Sequence, residues 1–150
     1  MPRFEYRLND SAQNYPVLYF YESMGELEAA MRFACDYFIK EGKTYLKTAS
    51  SMEAPNYAVY VEEVDDDPSE TDNAHNQSLP GGIAFEVREY REGAKSYPLI
   101  HQLSFTQSSQ ALPHLLADAV ILFGQEWEKT STEIDEDRQA YIYYCKKAGG

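Results

Sequence analysis

The chain has 150 residues, 13 of them basic and 25 acidic, for a formal net charge of −12. That balance argues against a general nucleic-acid binder or a binder of anionic membranes, since both neutralise phosphates with Lys and Arg. Apolar residues at 43% and aromatics at 14% are too many for a disordered chain, and a domain of this length buries roughly 68–70% of its unfolded surface. The opening Met-Pro-Arg-Phe-Glu-Tyr has no apolar run of a secretory signal, and no segment reaches the ~20 apolar residues of a membrane span. Two cysteines, Cys35 and Cys145, do not make a disulfide framework. The expectation is a cytoplasmic protein with reduced thiols.

Phe4, Tyr6 and Leu8 alternate with Arg3, Glu5 and Arg7, a period of two that predicts a half-buried strand. A polar turn leads to a second strand over 17–22. Ser23-Met24-Gly25-Glu26 has the pattern of a capping box. It would open a helix with the apolar stripe Leu27, Ala30, Met31, Ala34, Cys35 and Phe38, ending near Gly42. Strands over 45–52 and 57–64 follow, turning at Ala54-Pro55-Asn56. Residues 62–72 carry seven acids and no base, and with the Asn, Ser, Gln, Pro and Gly beyond them they read as a solvated linker.

The pattern then recurs. Ile83, Phe85 and Val87 alternate with Glu86 and Arg88, and a second strand covers 99–105. Ser108 or Ser109 would cap a helix with Pro113 in or near its first turn. Its stripe is Leu112, Leu116, Ala119, Val120, Phe123 and Trp127, and strands over 130–134 and 140–146 close the chain. Five blocks match in the same order at offsets between 81 and 85 residues, from Phe4-Glu5-Tyr6-Arg7 with Phe85-Glu86-Val87-Arg88 to Tyr57-Ala58-Val59-Tyr60 with Tyr141-Ile142-Tyr143-Tyr144. The expected fold is α+β: an internal duplication of a ββαββ unit, with antiparallel sheets, one helix per repeat packed on a face, and pseudo-two-fold symmetry. The repeats would span 1–64 and 82–150, joined by the acidic linker 65–81 and packed as one domain.

No motif carries chemistry. Gly42-Lys43-Thr44 lacks the upstream glycine and the following helix of a phosphate loop, and reads as a helix C-cap before a strand. Counted from Asp65, a calcium loop would need Gly at position 70 and Glu at 76, where Glu70 and Asn76 stand. His75, His101 and His114 have no partners at metal-ligand spacing. Cys35 and Cys145 face Val120 and Val61 in the repeat alignment, as core residues do. No cofactor and no catalytic residue is expected.

Two surfaces remain as candidates. Tyr19, Tyr21, Tyr60 and Tyr144 would offer a tyrosine-rich, acidic surface to a protein partner, tyrosine being favoured at interfaces. Glu5, Arg7, Glu86 and Arg88 recur at equivalent positions and would line a polar groove where the repeats approach. The leading expectation is a non-enzymatic interaction or regulatory protein binding another protein, without direct nucleic-acid or membrane contact and with self-association left open. The alternative is a small-molecule-binding module, or an enzyme, with its site in the cleft between the repeats. A weaker alternative is an acidic nucleic-acid mimic, which the concentration of acids in 62–72 disfavours.

Overall fold

The computed structural model describes residues 2–65, 83–94 and 96–149. Most of the proposed acidic linker, 66–81, therefore lies outside the described residues. The elements are β1 (Phe4–Leu8), a 3-10 turn (Ser11–Gln13), β2 (Val17–Tyr21), α1 (Glu26–Phe33), β3 (Tyr37–Lys40), β4 (Lys43–Glu53) and β5 (Asn56–Val64). Beyond residue 82 come β6 (Ile83–Glu89), β7 (Leu99–Phe105), α2 (Ser108–Leu116), β8 (Ala119–Leu122), β9 (Gln125–Asp135) and β10 (Ala140–Lys147).

This overturns the expected fold class. The chain is 55% strand and 15% helix, and its ten strands form one mixed sheet rather than antiparallel sheets built from duplicated ββαββ units. The sheet order is β2-β1-β5-β4-β3-β9-β10-β6-β7, with β8 hydrogen-bonded to β9 off that path. Three pairs are parallel: β1 with β5, β6 with β10, and β3 with β9. The N-terminal run (4–64) and the C-terminal run (83–147) each have the order ββαβββ, but they pair asymmetrically. Among the described residues β3 is bonded on both sides, to β4 and β9, whereas β8 is bonded to β9 alone.

An apolar stripe at helical spacing continues across the extra strand in each run, so periodicity alone predicts helix where β3 and β8 stand. α1 stops at Phe33, and Thr132 ends it by donating its hydroxyl to the Ala34 carbonyl at 2.9 Å, while its own N–H is taken by Asp36 at 3.0 Å. Tyr37-Phe38-Ile39 then alternates as a strand should, aromatic and β-branched. Gly42 is consequently no helix cap. Glu41 and Gly42 have φ of 54° and 75°, and Phe123 and Gly124 have 53° and 79°. Two positive φ values in succession make the tight two-residue hairpin turn whose twist matches its strands. The helix starts differ as well: α1 begins after Gly25 without a side-chain cap, and α2 is capped by Gln107 with Gln110 reaching back. Pro113 lies inside α2 rather than in its first turn.

Both helices lie on one face of the sheet and touch each other. Beneath them is the main core, with Phe4, Tyr6, Met31, Phe38, Phe85 and Tyr143 all at 3% exposure or less. Successive strand residues point to opposite faces, so β10 sends Tyr141, Tyr143 and Cys145 into this core. Its Ile142 and Tyr144 go to the rear face, where they pack with Tyr97. No helix among the described residues is long and apolar enough to cross a membrane.

Candidate functional site

The sheet order keeps the two Glu–Arg pairs apart. Five strands lie between β1 and β6, which at ~4.8 Å per strand is about 29 Å. Each pair instead builds its own cluster. Glu5 accepts from Arg3 and Arg7 at 2.7 and 2.8 Å in a partly exposed setting. Glu86 and Arg88 are fully buried and 2.8 Å apart, and Arg138 from the β9–β10 turn adds two bonds to Glu86 at 3.0 and 3.1 Å. Burial pushes the Glu86 carboxyl up, but the hydrogen bonds from Arg138 and Arg88 outweigh it and hold it below the usual carboxylate range.

The four candidate tyrosines do not share a surface. Tyr19 and Tyr21 pack against the helix-side core, while Tyr144 is 4% exposed on the rear face. Their hydroxyls are engaged by carboxylates: Tyr19 with Glu41, Tyr21 with Glu136, Tyr60 with Glu53 and Tyr144 with Glu133. Tyr141 likewise donates to Glu28 at 2.8 Å. The abundance of tyrosine and of acid is thus partly one fact, phenols seated in buried or half-buried positions with a carboxylate on each hydroxyl.

One such cluster pins the two runs together on the helix side. Arg32, 8% exposed, reaches Glu28 on its own helix at 3.0 Å and Glu136 of the β9–β10 turn at 3.1 Å. Lys40 meets the other Glu136 oxygen at 2.5 Å. Burial raises the Glu136 carboxyl, and the bonds from Lys40, Tyr21 and Arg32 bring it below its ordinary value. Both charges on each side are paired, which suits a clamp more than a reactive centre.

The rear face holds a separate site, a cavity of about 210 Å³ where β3 and β4 meet β9 and β10. Its walls are four tyrosines, Tyr37, Tyr90, Tyr97 and Tyr144. Tyr90 stacks on Tyr97 with ring centres 5.4 Å apart, and Tyr97 stands edge-on to Tyr144 at 5.3 Å. Thr44, Thr130 and Ser131 bring hydroxyls, and the buried Glu133 brings a carboxylate that accepts from Tyr144 at 2.9 Å. Tyr37 lies directly opposite Glu133, and Ser131 directly opposite Tyr144, across hydrogen-bonded strands. The parallel β3–β9 pairing therefore assembles a site that neither run forms alone.

Of these residues the sequence reading singled out only Tyr144. Periodicity places Tyr37 in a helix, and Tyr90 and Tyr97 stand on either side of the polar turn expected over 91–96. Two tyrosines flanking a turn of Gly and charge were the available signal that this segment folds back over a sheet face. Both cysteines are buried. Burial pushes the Cys35 thiol well up, and burial with the neighbouring Glu89 pushes Cys145 up to about 12. His75 lies outside the described residues. Among the described residues no group of three or more His, Cys, Asp or Glu is placed to hold a metal ion. Comparison with protein-family models, with curated proteins and with solved structures found no match.

Proposed function

We propose that the protein binds a small, uncharged, polyhydroxylated ring, of the sugar or nucleoside class, in the rear-face cavity between the two runs. One observation carries the reading: four tyrosines, three hydroxyl side chains and a carboxylate from both runs converge on about 210 Å³. Pockets that take small molecules combine apolar and aromatic walls with a few placed polar groups. Here the aromatic faces suit a ring, the hydroxyls suit its oxygens, and the buried carboxylate of Glu133 on the wall disfavours an anion. A thermal-shift screen of neutral sugars and nucleosides tests this. A ligand at 100 times its Kd adds about 2.7 kcal/mol, or about 5–11 °C for a chain of this size. The shift should vanish in Ser131→Trp, which fills the cavity. A screen with no shift, or one that Ser131→Trp leaves intact, refutes the assignment.

One observation favours a second reading, the binding of a protein segment. Ile121 on β8 and Phe123 in the turn after it are 74% and 82% exposed, and among the described residues β8 pairs with β9 alone. An extended peptide from a partner would add to the other edge of β8 as a strand. Ile121→Lys would then abolish partner capture while leaving sugar or nucleoside binding unchanged.

A further inference from the structure

The ladders place the two runs in residue-by-residue correspondence around the helix-side core. Tyr21 faces Phe4 where Leu103 faces Phe85, and Tyr6 faces Tyr19 where Val87 faces His101. Both ladders slip at the next residue, after Tyr6 and after Val87. Phe38 faces Tyr45 where Val120 faces Trp127. Lys47 donates to the Phe33 carbonyl, and Lys129 to that of Leu115, so His114 stands where Arg32 stands.

In the N-terminal run these positions are filled by rings. Tyr6 stacks on Phe38 at 3.8 Å with an interplanar angle of 2°, Tyr19 meets Phe38 edge-on at 5.8 Å, and Tyr6 meets Tyr21 at 6.4 Å. Arg32 lies 4.7 Å over Tyr21 and Lys40 5.2 Å over Tyr19, closing the stack. In the C-terminal run the same places hold Val87, Val120, His101 and Leu103, with His114 for Arg32 and Leu122 for Lys40. The result is a cavity of about 320 Å³ that these six side chains line. Three phenyl-type rings have been exchanged for aliphatic side chains without the helix collapsing onto the sheet.

We propose that this cavity is a second binding site, separate from the rear-face one, and that it takes a small neutral aromatic carrying one hydrogen-bond donor, the phenol class. The ring would occupy the volume that Tyr21 and Tyr6 fill in the other run. Apolar cavities of only about 150 Å³ already admit benzene. The donor follows from His114. Its Nδ1 lies 3.2 Å from the Gln110 carbonyl, and a carbonyl can only accept, so Nδ1 carries the proton. Nε2 of the neutral ring is then the acceptor. The six lining side chains named include no Lys or Arg for an anionic head group.

The probe is p-cresol, the tyrosine side chain itself, followed by 1H–15N correlation spectra, with toluene as the ring without a donor. Saturable shifts are expected at Val87, Leu103 and Val120. Leu103→Tyr, which restores the ring of the other run, should remove them. Val120→Phe is the second plug should the first variant misfold. His114→Phe should abolish the preference for p-cresol over toluene, about tenfold for one net hydrogen bond. Shifts that survive both plugs, or no saturable shifts at all, overturn the site. An unchanged preference in His114→Phe overturns the donor assignment.

Discussion

Glu86→Gln and Glu5→Gln together measure how much burial multiplies the worth of one local arrangement. Both carboxylates sit on the rear face of a strand, each beside an arginine two residues on, and in both clusters that arginine also donates to a tyrosine carbonyl, of Tyr15 or Tyr97. They differ in solvent. Glu86 and Arg88 are 0% exposed, whereas Glu5 is 15% exposed and its partners Arg3 and Arg7 are 35% and 28% exposed. Removing one partner of a buried pair strands the other charge and costs about 3–5 kcal/mol. Gln keeps an acceptor oxygen, so the lower end, about 3 kcal/mol, is expected for Glu86→Gln. Solvated pairs are worth about 1 kcal/mol or less, which bounds Glu5→Gln. For a 150-residue chain these become a Tm loss of about 6–12 °C and one of at most about 4 °C. Urea unfolding followed by tyrosine fluorescence and circular dichroism would give both values from the same transition. Equal losses in the two variants would refute the burial argument, as would a neutral Glu86→Gln.

Glu86 and Glu136 are both held below their ordinary values, so the unfolded chain binds more protons near pH 4 and stability rises with pH there. Their contribution is complete above the unfolded carboxylate value of about 4.3 and is lost as pH falls through the folded ones. Urea midpoints measured from pH 7 to pH 3 should fall steeply at the acid end, less so in Glu86→Gln. An identical slope in the variant would contradict this. Cys35 and Cys145 should resist a disulfide thiol reagent in the native state at pH 8 and react once urea is added, because both are buried and their thiols are pushed up. Fast native labelling of Cys145 would show that the faces of β10 are misassigned, and fast labelling of Cys35 that the end of α1 is not packed on the sheet. Gly124→Ala meets no atom within 4 Å but must hold φ near +79°, so it should cost about 1 kcal/mol from backbone strain alone. A neutral result would mean the hairpin turn is not type I′.

What could be read from the sequence was whatever depended on local period. The alternation in 4–8 and 83–89, the long hairpins, and the two helix starts to within two or three residues all followed from it. What could not be read was set by partners distant along the chain. Phe38 and Val120 continue a helical stripe in one dimension, yet Thr132 on β9 ends the first helix by bonding to Ala34 and Asp36 from across the sheet. The four-residue strands β3 and β8 are too short to outvote a neighbouring stripe. Missing β3 also hid the parallel β3–β9 pairing, and with it the mixed sheet and the rear-face cavity. The tyrosines were conspicuous in composition, but a residue count does not distinguish a phenol offered to a partner from one whose hydroxyl rests on Glu133 or Glu136.

The claim that the β3–β9 junction creates a binding site is tested most directly by titrating the sugar or nucleoside with the largest thermal shift into 15N-labelled protein. Saturable changes are expected at Ser131, Glu133, Tyr97 and Tyr144, with Phe20 and Phe123 unmoved. Changes confined to residues outside this group, or none at saturating ligand, would contradict it.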